Sequence, residues 1–156
     1  MITNEYGIHT FSLKLQCKYS EIQNIIEQNE CIRTSKGKLG LSPYYQMPQF
    51  KDIGVEIQLG QSVSHPCWLI LIVNPSSLLA GTYEPTALFQ ADEESVQQVK
   101  YRLRNILDKI GVDRRLKEFK LSRCDLTCNL YYERKADIQD RLDIFKKSFS
   151  NPHYSA

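Results

Sequence analysis

The most constraining feature of the sequence is an apolar run at residues 67–74, CWLILIVN. It is rich in β-branched and other strand-forming residues, and its apolar part is far shorter than the roughly 20 residues that a membrane-spanning helix needs. A strand that is apolar on both faces has to be covered on both sides. The run therefore predicts a central strand in the sheet of a globular domain.

Other segments alternate between apolar and polar residues, which is the period of a strand with one buried face. In residues 8–17, IHTFSLKLQC, every second side chain is predicted to face inward. In residues 54–59, GVEIQL, the valine, isoleucine and leucine face inward, and polar residues such as Glu56 face outward. Residues 117–131, KEFKLSRCDLTCNLY, complete a set of four predicted strands.

Three segments repeat apolar residues every three or four positions, the period of an amphipathic helix. Ser20 is predicted to cap the first helix, with Gln23 as its partner in a capping box. Asp92 is predicted to cap the second helix and Gly111 to end it. The third predicted helix covers residues 136–149.

Two segments show no sustained period and are predicted to be irregular. Residues 33–50, RTSKGKLGLSPYYQMPQF, are typical of a long loop with room for a short extended piece. The segment that follows the central strand opens with Asn74-Pro75, a strand breaker, and is predicted to be irregular up to Gln90.

The predicted order is strand, helix, strand, strand, helix, strand, helix. The first six elements match the split βαβ, ferredoxin-like pattern (βαββαβ), an α+β fold with helices on one face of an antiparallel sheet, here with an additional C-terminal helix. In this topology the first and third strands are central and the fourth lies beside the first. Residues 1–150 are predicted to form a single α+β domain, and residues 151–156 a C-terminal tail.

Composition excludes several classes of protein. The hydrophobic fraction of 42% and the charged fraction of 24% are ordinary for a globular domain and argue against a disordered or fibrous chain. The five cysteines lack CxxC spacing, so they predict buried free thiols rather than disulfides or a zinc site, with Cys124 and Cys128 as small apolar residues. Free thiols and a start without a signal-peptide pattern predict a cytoplasmic protein with no membrane partner.

The net charge of +2 conceals an uneven distribution. Nine basic and three acidic residues between Lys100 and Arg123 give +6, and the total of +2 leaves −4 for the rest of the chain. A local basic patch of this size can hold nucleic acid through its phosphates, although it is also compatible with a solvated helix face. The residues predicted to contact DNA are Lys14, Arg104, Arg114, Arg115, Lys117, Arg123 and Asn129.

Alternation in the last predicted strand places Arg123 and Asp125 on one side and Cys124 and Leu126 on the other. The simplest interpretation of Arg123 and Asp125, two residues apart on one strand face, is an exposed ion pair worth about 0–1 kcal/mol. The spacing alone does not favour catalysis.

The same strand resembles a family. FKLSRCDLTCNLYY, residues 119–132, resembles the R-x-D strand of plasmid and phage replication initiation proteins of Gram-positive bacteria, the rolling-circle initiators. VNPSSLLAGTYEPTALF, residues 73–89, together with the long helix after it, also resembles uncharacterised relatives of that group. The likeness covers roughly residues 68–132, and Arg123 and Asp125 are the positions that carry over.

The resemblance implies an antiparallel sheet with helices that binds origin DNA and nicks one strand, with a tyrosine nucleophile and acidic metal ligands. Tyr132 has the tyrosine-x-x-lysine spacing of such a nucleophile, and Glu56 and Asp125 are the acids expected to hold Mg²⁺ or Mn²⁺ if nicking is retained. The chain departs from the family because it has no His-hydrophobic-His pair and is short.

Two hypotheses follow. The first is a DNA-binding domain related to replication initiation proteins, the incomplete or non-catalytic part of a DNA-nicking initiator, with enzymatic activity left open. The second is a non-enzymatic protein–protein interaction module that forms a homodimer through its sheet face. DNA binding that weakens steeply with salt favours the first hypothesis, and a tight dimer that is indifferent to DNA favours the second.

Overall fold

The computed structural model describes residues 3–34, 44–63 and 65–131. The chain divides into two compact units, Tyr6–Thr127 and a smaller unit made of Met1–Glu5 and Cys128–Ala156. The larger unit contains all the described helices. The helix predicted at residues 136–149 and the tail at residues 151–156 lie outside the described residues, so the proposed single domain over residues 1–150 stays a prediction.

The described secondary structure is a mixture of strands and helices. In chain order its elements are β1 (Thr3–Cys17), α1 (Tyr19–Gln28), β2 (Ile32–Thr34), β3 (Tyr44–Met47), β4 (Val55–Gly60), β5 (Cys67–Val73), α2 (Pro75–Ala80), α3 (Glu93–Lys109) and β6 (Lys120–Tyr131), with 3₁₀ turns at Pro48–Ile53 and Leu116–Glu118. None of the helices in the described ranges is long and apolar enough to cross a membrane.

The described strands form one six-stranded antiparallel sheet in the order β2-β3-β4-β5-β1-β6. The doubly apolar strand β5 lies between β4 and β1, which confirms its predicted central position. The register aligns Leu13 of β1 with Leu71 of β5, and Leu71 in turn with Ile57 of β4. The α+β class is thereby established.

One face of the sheet forms the core. Residues of β4 and β5 alternate strictly between buried and half-buried, and Ile57, Leu69 and Leu71 are fully buried. The apolar stripes of α1 and α3 join the same core cluster through residues such as Ile22 and Leu103. The inward and outward faces predicted for residues 54–59 are confirmed, because alternate residues of a strand point to opposite sides.

The other face of the sheet is mixed in character. Ile70 and Ile72 of β5 are half-buried there, so the second apolar face of this strand is only partly covered. The ammonium of Lys14 lies 3.7 Å from the centroid of the Trp68 ring, a cation–π contact across β1 and β5. The carboxylate of Glu56 accepts hydrogen bonds on this face from strands β3 and β4.

The segments predicted to be irregular contain regular structure. Within residues 33–50 the chain forms β2, β3 and the start of a 3₁₀ turn, and residues 35–43 lie outside the described ranges. Asn74-Pro75 does end β5 but also begins α2, because the Asn74 side chain accepts a hydrogen bond from the Ser77 N–H at 2.9 Å. Proline is well tolerated at the first helical position, which has no intrahelical N–H bond to lose.

The cap of α1 also differs from the prediction. The helix begins at Tyr19 with Lys18 before it, rather than at a Ser20 cap, and Glu21 rather than Gln23 closes the first turn. The Glu21 carboxylate accepts the Lys18 N–H at 2.7 Å. The predicted cap and stop of α3 at Asp92 and Gly111 are confirmed.

All five cysteines are free thiols, as predicted, but only Cys67 is buried. Cys124 is exposed and Leu126 is 80% exposed, so the side of β6 predicted to face the core is largely open. The physical reason is that, among the described residues, β6 pairs with β1 alone and contributes no side chain to the core cluster. Burial raises the pKa of the Cys17 thiol to about 11, which keeps this thiol protonated near neutral pH.

Candidate nucleic-acid interface

The candidate site is built on the outward side of α3. The helix begins at Asp92, whose carboxylate accepts the Ser95 N–H at 2.9 Å, and that hydrogen bond holds the pKa of Asp92 below its ordinary value. Acidic residues occupy the first turn and basic residues the second half, as the helix dipole favours. The inward stripe is buried in the core, so the basic residues are left on the outer side.

The turn after α3 brings a second basic segment back along the helix. Gly111 has a φ of 78°, the left-handed conformation that a residue with a side chain rarely adopts. Val112 is then buried, with its N–H bonded to the carbonyl of Leu107 at 2.9 Å. Arg104 holds the segment after Val112 against α3, because one guanidinium nitrogen donates a hydrogen bond to the carbonyl of Arg114 at 2.8 Å.

Helix and returning chain enclose a shallow cleft of about 570 Å³. Its walls are formed by Gln97, Lys100, Tyr101, Arg104, Asp113, Arg115 and Leu116. Three cations and one carboxylate give the lining a positive balance. Within the described part of the chain Arg104 pairs with Asp108 at 2.9 Å, whereas Lys100 and Arg115 form no side-chain ion pair.

An aromatic ring completes the cleft. Tyr101 is 69% exposed, a large fraction for a tyrosine on a helix whose opposite side is buried. An exposed ring between cations is the arrangement on which proteins stack nucleic-acid bases while basic groups contact the phosphates. The cleft can therefore bind an anionic, planar-ringed polymer by stacking and charge together.

The structure separates the predicted DNA contacts into groups. Arg104 and Arg115 lie in the cleft together. Lys117 lies instead at a neighbouring apolar cavity, and Lys14 covers Trp68 on the sheet. Asn129 belongs to the smaller unit and does not line the cleft.

Arg114 has a structural role. Its guanidinium donates to the carboxylate of Glu21 in α1 at 2.7 Å and to that of Glu118 at 3.1 Å, so carboxylates occupy two of its edges. The pKa of Glu21 is lowered, first by the Lys18 N–H and then by Arg114, and the pKa of Glu118 is lowered, first by the Arg115 N–H and then by Arg114. This cluster ties α1 to the chain that enters β6.

The predicted metal ligands do not fit a shared ion. Glu56 lies on β4 and Asp125 on β6, with β5 and β1 between them, a separation of about 14 Å for three strand spacings. Each carboxylate also has protein partners: Glu56 accepts the Gln58 and Gln46 amides at 2.7 and 3.1 Å, and Asp125 pairs with Arg123 at 2.7 Å. Among the described residues no cluster of three or more His, Cys, Asp or Glu side chains could hold a metal.

Arg123 and Tyr132 are two further residues that the sequence predicts for a site. Arg123 is 67% exposed and forms the surface ion pair with Asp125 that its spacing predicts. Tyr132, the candidate nucleophile, lies outside the described residues. Lys100 and Tyr101 were not among the predicted contacts, although Gln97, Tyr101 and Arg104 follow one another at the helical spacing of four and three and so mark the outer face of α3.

Comparisons with known proteins leave the site to be judged on its geometry: no protein-family model matches the sequence, and neither the curated proteins nor the solved structures contain a significant match.

Proposed function

We propose that the protein is a DNA-binding domain that holds single-stranded DNA in the cleft on the outer side of α3. The observation that carries the proposal is the combination of an exposed tyrosine, Tyr101, with the cations Lys100 and Arg115 on either wall. Phosphates contact the two cations and a base stacks on the ring. No step of strand cleavage is assigned to the described residues.

The relation to replication initiation proteins is part of the same proposal. The strand order β4-β5-β1-β6 supports a ferredoxin-like arrangement in which β2 and β3 extend the sheet beyond β4. The exposed Arg123–Asp125 pair supports the relation through the motif that carries the resemblance. Glu56 and Asp125 are not proposed to share one metal ion, because two strands lie between those that carry them.

The test is fluorescence anisotropy of a labelled single-stranded oligonucleotide against the full chain, with a duplex of the same sequence for comparison. Two phosphate contacts predict that affinity falls roughly five- to tenfold when salt rises from about 50 to about 200 mM. Arg115→Glu should remove most of the binding. Lys51→Glu, an equal change of charge on an exposed residue outside the cleft, is the matched control and should retain it.

Stacking is tested separately. Tyr101→Ser should weaken binding at least about fivefold, as expected for the loss of one stacked base. Tyr83→Ser is the control, because Tyr83 is also well exposed, at 62%, and does not line the cleft. Equal effects at Tyr101 and Tyr83, or at Arg115 and Lys51, would contradict the assignment of the cleft.

The alternative, a non-enzymatic module that dimerises through its sheet face, is favoured by one observation: Leu126 of β6 is 80% exposed. A large apolar side chain exposed on a sheet favours association with another apolar surface. Sedimentation velocity over a range of concentrations distinguishes the two. A tight dimer that Leu126→Lys dissociates, together with no DNA binding, would support the alternative.

A further inference from the structure

An apolar cavity of about 580 Å³ lies beside the cleft and shares Lys100 and Leu116 with it. Its walls come from the core face of β1, from α3, and from the chain around the start of β6, with Phe11, Leu13, Val99, Leu103, Leu116 and Leu121 as the main contacts. The size falls within the range of small-molecule pockets, about 300–1,000 Å³. The cavity is partly open, since Leu121 is 63% exposed.

Fixed structure holds the walls apart. The segment before α3 is pinned to β1 by paired backbone hydrogen bonds of 3.0 Å between Ile8 and Phe89. Gly7 lies so close to this segment that a Cβ there would be 2.9 Å from the Leu88 side chain. On the opposite side, the Arg114 ion pairs hold the approach to β6. Backbone hydrogen bonds, a close backbone approach at Gly7 and the Arg114 ion pairs therefore fix the segments that form the cavity walls.

Charge identifies the ligand class. Among the described residues, the lining is apolar except for two lysine side chains, Lys100 and Lys117, and the thiol of Cys124, and none of these lining residues is acidic. Both lysines are exposed, and neither takes part in an ion pair within the described ranges. Their ammonium groups can therefore meet an anion at the mouth while the apolar walls bury a hydrocarbon.

We propose that this cavity binds a single-chain amphiphilic anion, an acyl chain or comparable apolar body that ends in one carboxylate. The apolar part contacts β1 and α3, and the carboxylate pairs with Lys100 and Lys117. A nucleotide does not fit this description, because the lining offers few donors or acceptors for a base. The cavity shares Lys100 and Leu116 with the cleft, whereas Lys117 lines the cavity alone, so a change at Lys117 tests this proposal without altering the lining of the cleft.

The experiment uses displacement of the fluorescent probe anilinonaphthalene sulfonate from the full chain. Dodecanoate should displace it more strongly than dodecanol, and dodecyltrimethylammonium least. Shortening the acid by one methylene should weaken binding by up to about fourfold, the effect of one buried CH₂. Equal competition by all three dodecyl compounds would overturn the proposal, because it would indicate general surface hydrophobicity.

Variants locate the site. Val96→Trp places a large ring in the cavity and should abolish dodecanoate binding, while Val63→Trp, at a position 93% exposed and outside the cavity, should leave it unchanged. Lys117→Glu should weaken binding of dodecanoate but not of dodecanol, and Lys51→Glu should weaken neither. Unaltered dodecanoate binding in Val96→Trp would refute the assignment.

A measurement on the wild-type chain tests the site even if a variant fails to fold. Cys124 is an exposed thiol on the cavity wall, so bound dodecanoate should slow its alkylation by a maleimide, read by peptide mass mapping. The alkylation rate of Cys31 should not change, because this thiol is outside the cavity. Unchanged labelling of Cys124 at saturating dodecanoate, or a concentration-dependent dimer that excludes the probe, would mean that the ligand is not held here.

Discussion

Strands β5 and β6 are both apolar-rich strands that the sequence identifies, yet their surroundings differ sharply. In β5 every second residue is buried, and Leu69, Leu71 and Val73 have no exposed surface. In β6, Leu121 and Leu126 are 63% and 80% exposed. Within the described residues the difference lies in their neighbours: β5 has a strand on each side and helices packed over its inner face, whereas β6 pairs with β1 alone and adds no side chain to the core cluster. Periodicity predicts a strand, and the neighbours decide whether it is buried.

The largest expected effect contrasts one leucine from each strand. Leu71→Ala should lower the free energy of unfolding by about 2–5 kcal/mol, because it leaves a cavity in a closed core. Leu126→Ala should change it by no more than about 0.5 kcal/mol, since the side chain is already in solvent. Urea denaturation measures both. Similar losses at the two positions would show that β6 is covered in solution.

The second effect concerns the packed end of β5. Gly54 has a φ of 78°, and a Cβ there would lie 2.5 Å from the Ser77 Cβ and 3.0 Å from the Asn74 carbonyl. Gly54→Ala should therefore cost about 2–4 kcal/mol through strain and overpacking. Gly81→Ala is the matched control: its φ is 75°, but the nearest atom is 4.0 Å away, so only the conformational cost of about 1–2 kcal/mol remains. Thermal unfolding of both variants gives the contribution of the contact.

A smaller effect is expected at the residue that ends β5 and begins α2. Asn74→Ala removes the side-chain oxygen that accepts the Ser77 N–H, a helix cap worth about 1 kcal/mol. Asn74→Ser keeps an acceptor at the same position and should recover much of the stability. If serine and alanine destabilise equally in urea denaturation, the hydrogen bond is not the source of the loss.

The smallest effect is expected at the entry to β6, and it depends on pH. The pKa of Glu21 lies below its ordinary value of 4.5, so its ionised form stabilises the fold. This contribution is present above the unfolded-state pKa and is lost as pH falls through the lower folded-state pKa. Glu21→Gln should be less stable than wild type at pH 7, and the difference should disappear under acidic conditions. A pH-independent difference in urea midpoints would assign the loss to packing instead of charge.

Elements with a long, regular pattern could be predicted from the sequence. The runs of β4 and β5 and the stripe of α3 span enough residues to define a period, and local chemistry at Asp92 and Gly111 marks the ends of α3. The short strands could not be predicted. β3 has four residues and exists through pairing with β4, as in the contact of Tyr45 with Leu59, which no local pattern encodes.

The candidate site was predictable to a similar extent. The charge distribution along the sequence predicts Arg104 and Arg115 as ligand contacts, because both belong to the basic segment, and both line the cleft. It also led to Arg114, whose partner Glu21 is 93 residues away in the sequence and so could not be anticipated. A role for Tyr101 could be predicted only by knowing which side of α3 is buried. Charge counting identifies a segment, and the fold decides which of its members are available to a ligand.

The cation–π pair of Lys14 and Trp68 gives the molecule a built-in optical reporter. Trp68 is the single tryptophan of the chain, so the intrinsic emission above the tyrosine background comes from one place, the junction of β1 and β5. Its spectrum reports on the separation of two central strands, and Trp68 itself lines neither the cleft nor the cavity. Tryptophan emission should therefore stay constant in a ligand titration and change when the centre of the sheet opens.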